Sequence, residues 1–361
     1  MKDYKMIAVI GGGPVGCFLA WKLAEKGKDV HIFEEHPVIG KPVQCTGILT
    51  KEIRKIVDIE DEFLLNEIKK VKVYSKRALS EFEVDDIVID RAKFDKYLAK
   101  MARKAGAKIH LNSKFLGYED DGIIIQDTKS KRKKRVDADA IVGADGPLSE
   151  VAKSSGMYGK RDFYVGVQAR VKGNFDDRYE VYLGSIAPGF FAWVVPESSR
   201  IARIGVAGKK YSSKVFKRFL DVKNIDKKDI ISKQAGLIPV WKKVKISKGN
   251  VFLVGDAAMQ VKATTGGGIV PGLKAADKLA DCLSDGGDYG KAVRGIENEL
   301  WLHSKIRQFL NNFSDRDYDK LIRLLSGVKK ELKNRDMLLR SAFKIILKQP
   351  RLLLFLRKTY K

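Results

Sequence analysis

Three glycines and one acidic residue near the start of the chain have the types and spacing of a dinucleotide-binding site. The glycines form Gly11-x-Gly13-x-x-Gly16, and Glu34 ends a later apolar segment. In such a pattern the first glycine permits a tight turn, the second lets the backbone approach a pyrophosphate, and the third lets a helix pack closely on a strand. The helix N-terminus can bind phosphate, and Glu34 can accept a hydrogen bond from a ribose hydroxyl. A glycine-rich turn without a ligand is the alternative interpretation.

The elements around these residues are the ones that a dinucleotide site needs. An apolar run over residues 7–10 precedes the glycines, a helical pattern follows them, and a second apolar run over residues 30–33 leads to Glu34. Strand, glycines, helix, strand and acid therefore occur in the required order. The sequence predicts a βαβ unit that binds a dinucleotide.

Two later segments place further carboxylates where apolar runs end. Asp145 lies in the sequence Gly-Ala-Asp-Gly, which ends with Gly146, and Asp256 follows Gly255 in Gly-Asp-Ala-Ala. Ligands of open parallel sheets bind at the carboxyl ends of the strands, so both acids are candidate contacts. Asp256 could accept a hydrogen bond from a ribityl hydroxyl, and the glycine-rich turn at 266–268 could hold phosphates or the flavin pyrimidine edge. Each motif taken singly is an ordinary turn signal.

The order of these three motifs resembles that of the para-hydroxybenzoate-hydroxylase-type flavoproteins. The resemblance implies that the dinucleotide is FAD rather than NAD. It also implies an FAD contact from an arginine that opens a helix, which is Arg91 in this chain.

Three segments narrow the resemblance to the geranylgeranyl reductase family, from about residue 5 to residue 275. They are PVQCTG at 42–47, PGFFAWVVP at 188–196 followed by Ile204-Gly205, and GDAAMQVKATTGGGI at 255–269. Phe191 and Val195 stand where the family has Tyr and Phe. Met259 and Ala263 stand where it has Gly and Pro.

The resemblance implies a set of non-covalent FAD contacts. These are Gly11, Gly13, Val15, Gly16, Glu34, Cys45, Thr46, Gly47, Arg91, Phe115, Asp145, Gly146, Gly255, Asp256, Gly267, Gly268 and Ile269. It further implies a reductase that saturates C=C bonds of geranylgeranyl chains, in isoprenoid lipids or in geranylgeranyl diphosphate. The alternatives are an aromatic monooxygenase or halogenase of the same superfamily, and a basic flavin-binding protein without catalytic activity.

Cys45 is the candidate catalytic residue. An isolated prenyl double bond is not electron-poor, so hydride addition needs a coupled proton or close positioning of the alkene. In the family the matching loop passes beside the flavin ring, where a thiol could supply that proton or orient the substrate. The alternative is a small packed cysteine without reactivity. Phe191 and Trp193 share one face of a strand, where they could line an apolar tunnel for the prenyl chain or fill the core.

The chain carries a formal net charge of +25, which favours association with polyanions. A basic cluster at 129–135 is interpreted as a solvated hairpin tip, with a localisation or nucleic-acid patch as the alternative. The basic amphipathic segment at 329–361 suits either an anionic membrane surface or packing on the protein itself. No specific nucleic-acid partner is expected. Because only one GxGxxG unit follows a strand, we expect electrons from transiently bound NAD(P)H or from an acidic carrier such as ferredoxin.

These observations predict an α/β fold: a Rossmann-like FAD-binding domain, an interleaved substrate domain with an antiparallel sheet, and C-terminal helices. The predicted boundaries are 1–50, 90–160 and 234–290 for the FAD-binding domain, 51–89 and 161–233 for the substrate domain, and 291–361 for the helices. No export signal, spanning segment, cysteine pairing or metal-ligand spacing is visible, so we expect a cytoplasmic, peripherally membrane-associated protein without a metal.

Overall fold

The computed structural model describes residues 4–119, 122–209 and 213–327. Its strands are β1 (Met6–Ile10), β2 (Asp29–Phe33), β3 (Ile48–Thr50), β4 (Leu64–Tyr74), β5 (Leu79–Ile89), β6 (Lys108–His110), β7 (Ser113–Glu119), β8 (Gly122–Asp127), β9 (Lys133–Asp137), β10 (Ala140–Gly143), β11 (Asp162–Lys172), β12 (Tyr179–Tyr182), β13 (Phe191–Ser198), β14 (Ile201–Gly208), β15 (Ile230–Val240), β16 (Ser247–Lys248) and β17 (Val251–Leu253).

The α-helices are α1 (Pro14–Glu25), α2 (Arg91–Lys104), α3 (Glu150–Ser154), α4 (Ser213–Val222), α5 (Ile269–Asp285), α6 (Tyr289–Ala292), α7 (Arg294–Leu310) and α8 (Asp315–Ser326). Short 3-10 helices cover Lys51–Lys55, Lys227–Asp229 and Gly255–Ala258. The mixed α/β fold class is confirmed, with parallel and antiparallel sheets and helices that end the described chain.

Contacts between Cα atoms divide the chain into two compact units. The first takes the described residues up to 43, then 91–162 and 239–301, and the second takes 44–90, 163–238 and the described residues from 302 onward. Residues 44–50, which the sequence analysis assigned to the FAD-binding domain, lie in the second unit. Residues 291–301 group with the first unit rather than with a separate C-terminal region.

The first unit is built on a sheet with the strand order β16-β17-β10-β1-β2-β6, parallel except for the β16–β17 pair. In its register Ile10 lies opposite Gly143, and Gly143 lies opposite Leu253. The three motifs that follow these strands therefore leave the sheet at one edge, its carboxyl edge. Helix α1 packs against α2 and α5.

The second unit contains a sheet with the order β15-β11-β14-β13-β12-β4-β5-β3. The four strands predicted over residues 163–206 are present and pair as β11-β14-β13-β12 in antiparallel fashion, while β12 and β4 are parallel. One face of these strands carries the small and branched residues of a hydrophobic core, covered by Phe216, Phe219 and Leu220 of α4. Because strand residues alternate between faces, the opposite face carries Gln168, Trp193 and Arg203.

The basic cluster at 129–135 forms the turn between β8 and β9 and the start of β9, which confirms the predicted hairpin. The helix predicted near Pro147 begins at Glu150, because the Ser149 hydroxyl caps its first turn by accepting from the Ala152 N–H at 2.9 Å. The basic segment at 329–361 lies outside the described residues. Within the described part, no helix is both long enough and apolar enough to cross a bilayer.

Candidate functional site

The turn after β1 has the backbone geometry that a bound pyrophosphate requires. Gly11 has a φ of +107°, and a Cβ there would lie 2.5 Å from the Ala144 oxygen. A Cβ on Gly16 would lie 2.1 Å from the Gly11 oxygen, so the turn and the start of α1 are close-packed. A Cβ on Gly13 would meet no atom within 4 Å, which leaves open space beside the helix N-terminus. Two glycines serve packing and one leaves room for a ligand.

Glu34 holds the same turn from the end of β2. Its Oε2 accepts from the Gly12 N–H at 2.6 Å, and its Oε1 accepts from the His36 N–H at 2.8 Å. The carboxylate is buried. Its hydrogen bond to Gly12 shows a second role for Glu34 that the sequence analysis did not identify, namely fixing the phosphate loop itself. A carboxylate offers about four acceptor sites, so capacity for a ribose hydroxyl remains.

Asp145 follows β10 at the same edge of the sheet. Its Oδ2 accepts from the Val151 N–H at 3.1 Å, whereas its buried Oδ1 has no hydrogen-bond partner among the described residues. Burial raises the pKa of the Asp145 carboxyl. Gly146 takes a φ of +79°, which starts the turn toward α3. An unsatisfied buried carboxylate oxygen is rare, and it fits a site that a hydroxyl or amide donor of a ligand completes.

Asp256 lies in the 3-10 helix after β17. Burial raises the pKa of Asp256 to about 6, and the positive charge of Arg91 acts in the opposite direction. A Cβ on Gly268 would lie 2.8 Å from the Asp256 Oδ1, so glycine there lets the start of α5 approach the carboxylate. Arg91, the first residue of α2, donates to both Asp95 oxygens at 3.1 and 3.0 Å. Asp256 and Arg91 therefore interact electrostatically, as their shared assignment to the FAD site requires.

The other predicted FAD residues of the first unit have varied surroundings. Val15 places its methyl groups against Gly255 and Gly272, which packs α1 closely against the following segments. Ile269 is buried at the first position of α5, next to Gly267 in the glycine-rich turn. Phe115 is buried in β7 with an edge-to-face contact to Tyr118.

Gln260 is a residue that the sequence analysis missed in the first unit. Its Oε1 accepts from the Gly255 N–H at 2.7 Å, and its Nε2 donates to the Tyr289 hydroxyl at 3.2 Å. Buried at the end of the Gly-Asp-Ala-Ala turn, it fixes the backbone that carries Asp256. Nothing in the local sequence pattern indicates this role.

Cys45 lies in the second unit, in the loop before β3. Its sulfur accepts from the Gly47 N–H at 3.3 Å, and Gly47 takes a φ of +73°, which favours glycine. The Thr46 hydroxyl donates to the Gln168 Oε1 at 2.9 Å, and the Gln168 Nε2 donates to the Cys45 oxygen at 3.1 Å. The loop is therefore tied to β11 through one buried amide.

Phe191 and Trp193 share one face of β13, as their spacing predicts, with ring centroids 5.7 Å apart and edge to face. The row of rings continues through stacked Phe190 and Tyr164. Trp193 is 7% exposed and donates from Nε1 to the Gln168 Oε1 at 3.1 Å. This packing makes Trp193 part of an ordered aromatic surface in the substrate unit.

A buried ion pair lies on the same face of the sheet and was not predicted. Arg203 donates from Nε to the Glu197 Oε1 at 2.6 Å, and Arg170 pairs with the Glu197 Oε2 at 2.7 Å. Arg203 also donates to the backbone oxygens of Thr46 and Ile89. It thereby binds the residue after Cys45 and the end of β5. These partners are far apart in sequence, so spacing rules give no signal for them.

Comparisons with known proteins agree with this geometry. A family model described as an FAD binding domain matches residues 4–286. The digeranylgeranylglycerophospholipid reductase of Thermoplasma volcanium is 32% identical, and the match covers 90% of this chain and 92% of that protein. The Methanosarcina acetivorans protein of the same name is 30% identical, with 95% and 94% covered.

Solved structures give the same result. A geranylgeranyl bacteriochlorophyll reductase-like protein from Thermoplasma acidophilum matches with a TM-score of 0.84 and 26% identity, covering 96% of both chains. A flavin-dependent brominase matches with a TM-score of 0.65 and 17% identity, which shows a shared fold alone. The FAD cofactor expected from the sequence is confirmed. The chain therefore belongs to the geranylgeranyl reductase family of FAD-dependent oxidoreductases.

Proposed function

We propose that the chain reduces carbon–carbon double bonds of geranylgeranyl chains carried by archaeal-type isoprenoid lipids. The observation that carries the proposal is the shared name of two relatives, both called digeranylgeranylglycerophospholipid reductase, which this chain matches over nearly their whole length. The Cys45 loop and the aromatic surface of the second unit support it. Geranylgeranyl diphosphate is the second substrate class that the prenyl chemistry admits.

In the proposed mechanism the residues of this chain bind the cofactor, hold the alkene and supply a proton. Reduced FAD, when bound, supplies a hydride to one alkene carbon. The Cys45 thiol gives its proton to the other carbon, so that the double bond becomes a CH–CH single bond and the flavin is oxidised. The Gly47 N–H bond fixes the sulfur while leaving its own proton unused in that bond. Trp193 and Phe191 offer apolar ring faces along which a prenyl chain can lie.

In the first unit we propose direct FAD contacts for the residues of the glycine turn and the three carboxylates. Gly11, Gly13 and Gly16 admit the pyrophosphate, Glu34 accepts from the adenosine ribose, and Asp256 accepts from the ribityl chain. The fit rests on the open space beside Gly13 and on the unpartnered oxygen of Asp145.

The decisive experiment incubates dithionite-reduced holoprotein anaerobically with digeranylgeranylglycerol phospholipid and, separately, with geranylgeranyl diphosphate. Reduction adds about 2 mass units per saturated bond, and we expect it for the lipid. An oxygen-dependent gain of about 16 mass units would indicate a monooxygenase instead. We expect Cys45→Ala to lower the rate strongly. Cys282→Ala, at the other partly exposed free cysteine, is the matched control.

The proposed partners follow from the charge of the chain. We propose that the electron donor is either NAD(P)H that binds transiently or an acidic carrier such as ferredoxin, attracted by a net charge of +25. Stopped-flow reduction by NADPH, NADH and reduced ferredoxin distinguishes these donors. The same charge supports peripheral binding to anionic lipid, which predicts vesicle binding that weakens with salt.

A further inference from the structure

Gln168 occupies the centre of a row that crosses three strands of the second unit. Gln168 of β11 lies opposite Gly205 of β14, and Gly205 lies opposite Trp193 of β13. The three residues therefore share one face of the sheet at the same level. Gln168 is 4% exposed, so its amide must satisfy its hydrogen bonds within the protein.

The chemistry of its neighbours sets the orientation of this amide. An indole N–H can only donate, so the Gln168 oxygen must face Trp193, at 3.1 Å. A backbone carbonyl can only accept, so the nitrogen must face the Cys45 oxygen, at 3.1 Å. The oxygen also accepts from the Thr46 hydroxyl at 2.9 Å. A reversed amide would place donor against donor and acceptor against acceptor.

Gly205 makes this arrangement sterically possible. A Cβ there would lie 2.3 Å from Trp193 Cζ2 and 2.7 Å from the Gln168 Cβ. Any side chain at this position would push the indole and the amide apart. The glycine of the Ile-Gly pair noted in the sequence thus serves the contact between two other side chains.

We propose that Gln168 is a positioning residue, whose single side-chain amide holds the Cys45 loop and the Trp193 indole in one fixed geometry. The inference deepens the proposed function and rests on it. The proton donor and the aromatic surface that orients the alkene must keep a constant separation for the thiol to reach one defined carbon. Gln168 provides this by bonding to both, and it acts on the reaction through Cys45 rather than by touching the substrate.

The test begins with a readout that does not depend on catalysis. Gln168→Met keeps the length of the side chain and removes all three hydrogen bonds. We expect Cys45 alkylation by iodoacetamide, mapped by peptide mass spectrometry, to speed up about tenfold relative to Cys282 in the same molecule. Thr46→Val removes one of the bonds and should change the rate in the same direction by less. Asn66→Leu, which removes a side-chain amide bond to the Pro196 oxygen, is the matched control and should leave Cys45 unchanged.

The second readout asks whether Gln168 acts through Cys45. We expect Gln168→Met to lower kcat for lipid reduction about tenfold or more, and to have no further effect in a Cys45→Ala background. A general loss of packing would lower the rate equally in both backgrounds. Unchanged Cys45 alkylation in both Gln168→Met and Thr46→Val would overturn the inference, as would a Gln168→Met effect on kcat that persists without Cys45. Wild-type protein that reduces no prenyl substrate would sink the proposed function, while the alkylation result would still decide the role of Gln168.

Discussion

The glycine turn of the first unit and the Cys45 loop of the second are held in place by different means. In the glycine turn, positions that lack a Cβ let backbone segments approach each other, as at Gly11 and Gly16. In the Cys45 loop, buried side chains from distant strands hold the backbone, chiefly Gln168 and Arg203. A turn defined by missing atoms fails when an atom is added, whereas a loop defined by polar bonds fails when one partner is removed. Substitutions in the two regions should therefore have different consequences.

The largest effect is expected from adding one methyl group to the glycine turn. In Gly16→Ala the new Cβ would meet the Gly11 oxygen at 2.1 Å, so the backbone must move. We expect FAD affinity to fall at least roughly 1,000-fold, about 4 kcal/mol. The protein should then be purified nearly colourless, measured as flavin absorbance per mole of protein.

Two controls separate the packing of the turn from its contact with the ligand. Gly295→Ala in α7 adds a Cβ that meets nothing within 4 Å, and it should leave FAD content and stability unchanged or slightly improved. Gly13→Ala also has space in the protein, so it should fold normally and yet bind FAD more weakly. Normal FAD binding by Gly16→Ala would contradict the steric account of this turn.

The next effect tests the polar bonds of the second unit. Arg203→Met leaves Glu197 without its closest partner, and the two side chains are only 9% and 4% exposed. Removing one partner of a buried pair costs about 3–5 kcal/mol, because the remaining charge stays desolvated. Arg54→Met removes an ion pair with Glu67 whose members are 42% and 44% exposed, and it should cost about 1 kcal/mol or less. Urea unfolding of the FAD-loaded variants measures both, and equal losses would contradict the contrast.

These two regions also differ in how far the sequence predicts them. Gly11, Gly13, Gly16 and Glu34 lie within one short segment, so their order and the period of the flanking strands already indicate the βαβ unit. The four strands of the second unit follow equally from alternation. Gln168 and Arg203 could not be found this way, because their partners are distant in sequence and a lone polar residue in an apolar strand has no distinguishing context. The assignment of residues 44–50 failed for the same reason: the bonds that join them to the second unit are non-local.

A smaller effect concerns the pH dependence of FAD binding. Without ligand the Asp256 carboxyl has a pKa of about 6, raised by burial, so it is largely neutral below that pH. A ribityl hydroxyl that donates to Asp256 favours the carboxylate, so FAD binding should release a proton. FAD affinity should therefore rise with pH up to about 6, by at most about tenfold per pH unit, and then become constant. Flavin fluorescence titrations across this range measure it. Asp256→Asn should abolish the slope, and a slope that persists in that variant would assign it to another group.

The smallest effect concerns the one residue beside the FAD motifs where a left-handed conformation is not provided by glycine. Met259 has a φ of +59° and is fully buried, at a position where the related family has Gly. Left-handed backbone costs a residue with a Cβ about 1–2 kcal/mol, whereas losing a buried methionine side chain costs about 2–5 kcal/mol. The side-chain loss is larger, so Met259→Gly should destabilise the protein rather than stabilise it. Met259→Ala loses nearly the same packing but keeps the backbone strain, and we expect it to be about 1 kcal/mol less stable than Met259→Gly in urea unfolding. Met259→Ala that is as stable as Met259→Gly would show that the backbone at 259 relaxes, and that the Gly-Asp-Ala-Ala turn is held by Gln260 and its partners rather than by the conformation of this residue.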